Sequence, residues 1–101
     1  MTGLWDNLEE AEARFDATPW KVSIEVVDCS VHVYPSRGGI AQSGVFVNPP
    51  NMLERKVGVT IEQKIARAKA KIQNVVDRLE HERQETNRLK AVAKAMREGR
   101  P

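Results

Sequence analysis

The sequence predicts an α+β protein: a short N-terminal helix, a β-hairpin, and one long C-terminal helix with coiled-coil-like heptads. Three observations predict it. Apolar residues recur at spacings of three and four before Pro19, alternate with polar ones between residues 21 and 47, and return to three-four spacing from Ile61 onward. At 101 residues the chain reads as a single domain, 1–101. A domain this small leaves about a third of its surface exposed on folding.

The first helix, within residues 1–18, opens at Thr2, a capping residue. Trp5, Leu8, Ala11 or Glu12, and Phe15 form its narrow apolar face. Pro19 ends it, because the ring disfavours helical geometry at Thr18 and has no N–H to donate. Residues 1–18 carry five acids against Arg14 alone, a balance of −4.

Residues 19–51 read as the hairpin. Val22, Ile24 and Val26 alternate in one phase, and Val27, Cys29, Val31 and Val33 in the other. Within one long strand, 21–34, the doubled valine predicts a bulge or a change of layer. Pro35 and the Gly38-Gly39 pair supply the turn, residues 40–47 return, and Asn48-Pro49-Pro50-Asn51 stops the return strand. A return strand this short leaves residues 21–26 without a partner. Val22, Ile24 and Val26 therefore mark a candidate sheet edge. Residues 55–59, within a linker or short strand at 52–60, a helix, or another chain would cover it.

Thr60 and Gln63 match a capping box, which starts the long helix, 61–98. Positions 61, 65, 68, 72, 75, 79, 82, 86, 89, 93 and 96 step by four and three without a slip, and no glycine or proline intervenes before Gly99. At 1.5 Å per residue such a helix spans roughly 57 Å. A globule of this length has a radius of gyration of only about 13 Å, so the seam is expected to pack on another helix. The predicted oligomer interface is Ile61, Ile65, Ala68, Ile72, Val75, Leu79 and Leu89. Glu82 and Thr86 interrupt it, either fixing register or facing solvent where the bundle frays.

Residues 54–101 carry thirteen basic and seven acidic side chains, a balance of +6, and residues 19–53 are neutral. Lys64, Arg67, Lys69 and Lys71 lie in a stretch with no acid between Glu62 and Asp77. They are candidate contacts for nucleic-acid phosphates or for an acidic partner, the first helix included. No aromatic residue lies among them in sequence to stack on bases, and no helix-turn-helix is present.

No catalytic, cofactor or metal site is expected, and the chain does not read as an enzyme. Cys29 and His32 fall on opposite faces of a strand and cannot share an ion, so Cys29 is expected as a small buried hydrophobe. Asp77, His81 and Glu85 share a helical face but read as a solvated ladder. Trp5, Trp20, Tyr34 and Phe46 are expected as core anchors.

The acidic N-terminus does not resemble a secretory signal, no run approaches the ~20 apolar residues that span a bilayer, and the one cysteine fits a reducing compartment. A location in the cytoplasm, or within an assembled particle, is expected. The head, hairpin and long helix resemble the plan of small accessory or virion components of bacteria and phages. The expected function is that of a self-associating assembly, adaptor or structural protein whose partner is a second copy or another assembly protein. The alternative is a small nucleic-acid-binding regulator that uses the basic stretch.

Overall fold

The computed structural model describes residues 4–99. In order, the elements are α1 (Leu4–Ala17), β1 (Lys21–Val27), β2 (Ser30–Arg37), β3 (Ile40–Ala41), β4 (Val45–Val47), α2 (Met52–Lys56) and α3 (Ile61–Glu98). The α+β class and the order of helix, sheet and long helix follow the sequence periodicities. The Thr2 cap and the Trp5 side chain lie outside the described residues.

The doubled valine marks neither a bulge nor a change of layer. It marks the end of a strand. β1 and β2 form a complete antiparallel hairpin from Lys21 opposite Ser36 to Val27 opposite Ser30. Asp28 and Cys29 are its two-residue loop, and Asp28 takes φ 54. Such loops require positive φ at their first central residue, a conformation aspartate tolerates. Cys29 therefore lies at an exposed tip rather than in the core.

The second turn is built by Gly38 and Gly39, at φ 50 and 85. Pro35 is not part of it. It is fully buried inside β2, and the return strand adapts to its missing N–H. Pro35 O still accepts from Gln42 N at 3.0 Å, but the reciprocal bond has no donor. The ladder breaks there and resumes one residue out of step. β3 pairs Ser36 with Ala41, whereas β4 pairs Val33 with Val45. Gly44 makes the slip sterically possible, since a Cβ on it would lie 1.9 Å from Val33 O.

One residue of slip exchanges the two faces of the strand. Val45 and Val47 consequently turn toward α3 with Val31 and Val33, and Phe46 turns outward beside His32. Val47 is buried while Phe46 is 59% exposed. Phe46 is thus a surface residue, contrary to its expected place as a core anchor. Trp20 does pack against the core.

α3 begins at the predicted capping box, with Thr60 and Gln63 each satisfying the other's backbone N–H. Its first half lies on one face of the sheet. Ala68, Ile72 and Val76 are buried there against Val33 and Val47, Leu79 is buried one turn further on, and Ile61, Ile65, Val22, Val31 and Val45 pack at the margin. The chain's own sheet covers this part of the seam, which the sequence assigned to a second helix. The buried stripe also drifts from Val75 to Val76, because a straight helix repeats every 3.6 residues and a strict heptad every 3.5.

Residues 55–59 form no strand. Asn51 and Glu54 make a capping box that opens the short helix α2, and the outer edge of β1 pairs with no strand among the described residues.

α1 is tied down chiefly at its C-terminal end, where unsatisfied carbonyls concentrate negative charge. Arg83 and Asn87 donate to Asp16 O at 2.6 and 2.8 Å. Arg37 donates to Phe15 O and Thr18 O and lies 4.0 Å over the Phe15 ring. Below this joint, Glu80 accepts from Trp20 N at 2.7 Å and from Arg83 Nε and Nη2 at 2.6 and 2.9 Å. The radius of gyration is 20.0 Å and the extents are 72 × 29 × 14 Å. The elongation arises because α3 continues after the sheet ends.

Candidate interaction surfaces

Three surfaces of the described residues bear on the sequence-predicted sites once the core forms. The first is the distal half of α3. Beyond Leu79 the buried stripe becomes polar, and Arg83 and Asn87 spend it on α1. Past them, Leu89, Val92 and Met96 are 57%, 46% and 67% exposed. They recur at spacings of three and four, so they share a helical face. Glu82 and Thr86 are exposed. Of the predicted oligomer interface, Ile61, Ile65, Ala68, Ile72, Val75 and Leu79 belong to the half of α3 that carries the sheet. Leu89 alone lies on the arm.

The second surface is the basic stretch. Lys64 pairs with Glu54 at 3.1 Å. The Asn51 N–H, and after it Lys64, lower the Glu54 pKa below the ordinary carboxylate value. Arg67, Lys69 and Lys71 are exposed. The acidic helix does not cover them. Its Asp16 and Glu12 carboxylates meet Lys90 instead, at 3.4 and 3.9 Å, because Arg83 and Asn87 hold the end of α1 one helix-half away. Tertiary structure brings β4 to this stretch: Val45, Phe46 and Val47 line the same shallow groove, about 220 Å³, as Lys64, Arg67 and Lys71. One face of the Phe46 ring stacks on His32, at 4.3 Å and 7°, and His32 stacks in turn on Tyr34 at 4.6 Å. The one-residue slip in β4 sets this ring on the face away from α3, and no periodicity in the sequence signals that slip.

The third surface is β1. It ends the sheet, so half of its backbone groups point outward. Val22 packs against the core, but Ile24 and Val26 are 47% and 73% exposed. The predicted edge residues are thus at an edge, for a different reason than strand length: β1 is fully paired on one side and open on the other.

Asp77, His81 and Glu85 do not converge. Among the described residues no group of three His, Cys, Asp or Glu side chains is placed to hold a metal ion. Glu85 is engaged by Arg88 at 3.0 Å, which lowers its pKa. Among the described residues no helix is long and apolar enough to cross a membrane. No known family matches this chain, and neither a curated protein nor a solved structure matches it.

Proposed function

We propose that the protein is a non-enzymatic assembly module that self-associates, with the small sheet-and-helix body carrying a projecting helical arm. One observation carries this reading. The arm leaves the body with Leu89, Val92 and Met96 on a shared exposed face, and it runs about 28 Å past Leu79. A helix of that length gains little stability alone in water, and its apolar stripe is suited to another helix, here the arm of a second copy. Leu89→Asp with Met96→Asp should lower the molar mass measured by light scattering while leaving the far-ultraviolet circular dichroism of the body unchanged. An unchanged mass removes the arm from any assembly and overturns this reading.

A second reading, from another class, is favoured by Phe46. An exposed aromatic on β4, the strand that lines one groove with Lys64, Arg67 and Lys71, suits a single-stranded nucleic acid that wraps the β4 edge, with phosphates on the cations and a base on the ring. Under that reading a labelled single-stranded oligonucleotide binds, its affinity falls steeply as salt rises, and Phe46→Ala or the pair Arg67→Glu and Lys71→Glu weakens it on the order of tenfold or more. Anisotropy that stays flat at low salt eliminates it.

A further inference from the structure

We infer that β1 pairs with β1 of a second copy, antiparallel, about a two-fold axis at Ser23. The inference rests on the self-association reading and names its partner and register.

The hydrogen-bond phase comes first. Val27 and Ser30 flank a two-residue loop and face each other across the hairpin. The pair that closes such a loop exchanges both backbone bonds, and hydrogen-bonded pairs then alternate along the ladder. Lys21, Ser23, Glu25 and Val27 therefore direct their N–H and C=O groups toward β2. Val22, Ile24 and Val26 direct theirs outward, along seven residues that no other strand pairs with among the described residues. This edge has no proline, no bulge and one lysine, so it lacks most devices that keep edges apart.

The side chains then choose the partner. A two-fold axis at Ser23 sets Lys21 of each copy opposite Glu25 of the other, giving two reciprocal pairs of opposite charge. Both fall at non-hydrogen-bonded sites, where cross-strand side chains approach most closely. On the α3 side the same register sets Val22 opposite Ile24 and brings the exposed Val26 toward Trp20 of the second copy. Ile24 and Val26 point to the side of the sheet on which α3 lies, yet α3 leaves them uncovered. Two copies would seat them in the trough between two α3 helices. A register centred on Ile24 also satisfies the backbone phase, but it sets Lys21 against Val27 and Ser23 against Glu25, leaving both charges unmatched. Charge pattern and exposed apolar surface thus agree on one register, and the complementarity is with this strand itself. A symmetric pair of identical edges closes after two copies, as an isologous interface must.

The test uses the full chain with Cys29→Ser, which removes the exposed thiol at the loop tip. Adding Ser23→Cys places two thiols across the axis, within the Cα separation a disulfide accepts. Oxidation should give a covalent dimer with Ser23→Cys and little with Lys21→Cys, which faces Glu25 in this register. In parallel, Lys21→Glu or Glu25→Lys alone should weaken association on the order of tenfold by opposing like charges twice. Their combination should restore it. Both positions are exposed, so the fold survives these changes. Ser23→Cys that does not cross-link, or a charge swap that fails to restore association, overturns the pairing. If the arm variants still lower the mass in that case, the assembly reading stands without it. A chain that is monomeric throughout overturns both.

Discussion

Replacing Ile72 with lysine should unfold the chain rather than merely dissociate it. Ile72 is 3% exposed, between the sheet and α3, in the same cluster as Val33 at 0% and Val47 at 4%. Losing a buried isoleucine costs about 2–5 kcal/mol by truncation alone. An ammonium group in that place has no buried acid to meet, since among the described residues the core holds no buried polar or charged side chain, and its desolvation adds several kcal/mol more. Together these approach the ~5–15 kcal/mol that holds a typical domain. Thermal melts followed by circular dichroism check this, with Leu89→Lys as the control, because Leu89 lies on the arm and its replacement leaves the melt of the body intact. If Ile72→Lys keeps a cooperative melt and only loses mass, α3 packs on a second chain rather than on its own sheet.

The second large effect is at Glu80. Its carboxylate receives two bonds from Arg83 and the backbone N–H of Trp20, and so ties α3 to the segment between α1 and β1. Arg83 first, and the Trp20 N–H after it, hold its pKa down to about 2 against the opposing effect of burial. A group whose pKa is lower folded than unfolded contributes stability that is present above its ordinary value, 4.5, and is lost as pH falls toward 2. The parent should therefore lose stability through that acid window, while Glu80→Gln loses much of it at neutral pH and shows a shallower acid dependence. Hydrogen bonds to charged groups contribute about 1.5–3 kcal/mol, and a neutral amide at Glu80 should cost about 2 kcal/mol in denaturant titrations at pH 7. Equal acid dependence in parent and variant would mean the joint carries no stability.

The helices were legible because their signals are local. A capping box, a proline and an uninterrupted three-four repeat each act within a few residues, so α3 begins and ends where the pattern does. The Asn51–Glu54 box is equally local and was readable, but the short span behind it left residues 52–60 as a linker or strand. The β segment was legible only as β. Asp28 and Cys29 are an uncommon loop pair, and two valine phases read as one strand when the turn between them lacks glycine. Cys29 and Phe46 were placed inside because their types favour burial. Residue type is silent on a turn tip and on a one-residue slip.

The candidate surfaces divide along the same line. Sequence marks Val22, Ile24 and Val26 as an edge from the length of the return strand, a ground the complete β1–β2 hairpin removes; they lie at an edge because no strand among the described residues pairs with the outer side of β1. The interface assigned along 61–79 was not correctly assigned, because the same apolar repeat fits a helix partner and a sheet partner, and only the packed chain shows which one arrives first. The acidic helix and the basic helix looked complementary by net charge. Tertiary structure instead bound α1 through the dipole of its last turn to Arg37, Arg83 and Asn87.

By itself, then, the sequence determined the types of the first helix, the β segment and the long helix, the start of α3, the charge asymmetry between the two ends, and the fact that α3 outruns the body. Tertiary structure decided which face of each strand is buried, what covers the first half of α3, where α1 docks, and that β4 lines the basic groove. The physical reason is range. Propensity and periodicity act over a few residues, whereas Pro35 and Gly44 set the faces of β4 through a ladder closed by residues far apart in the chain.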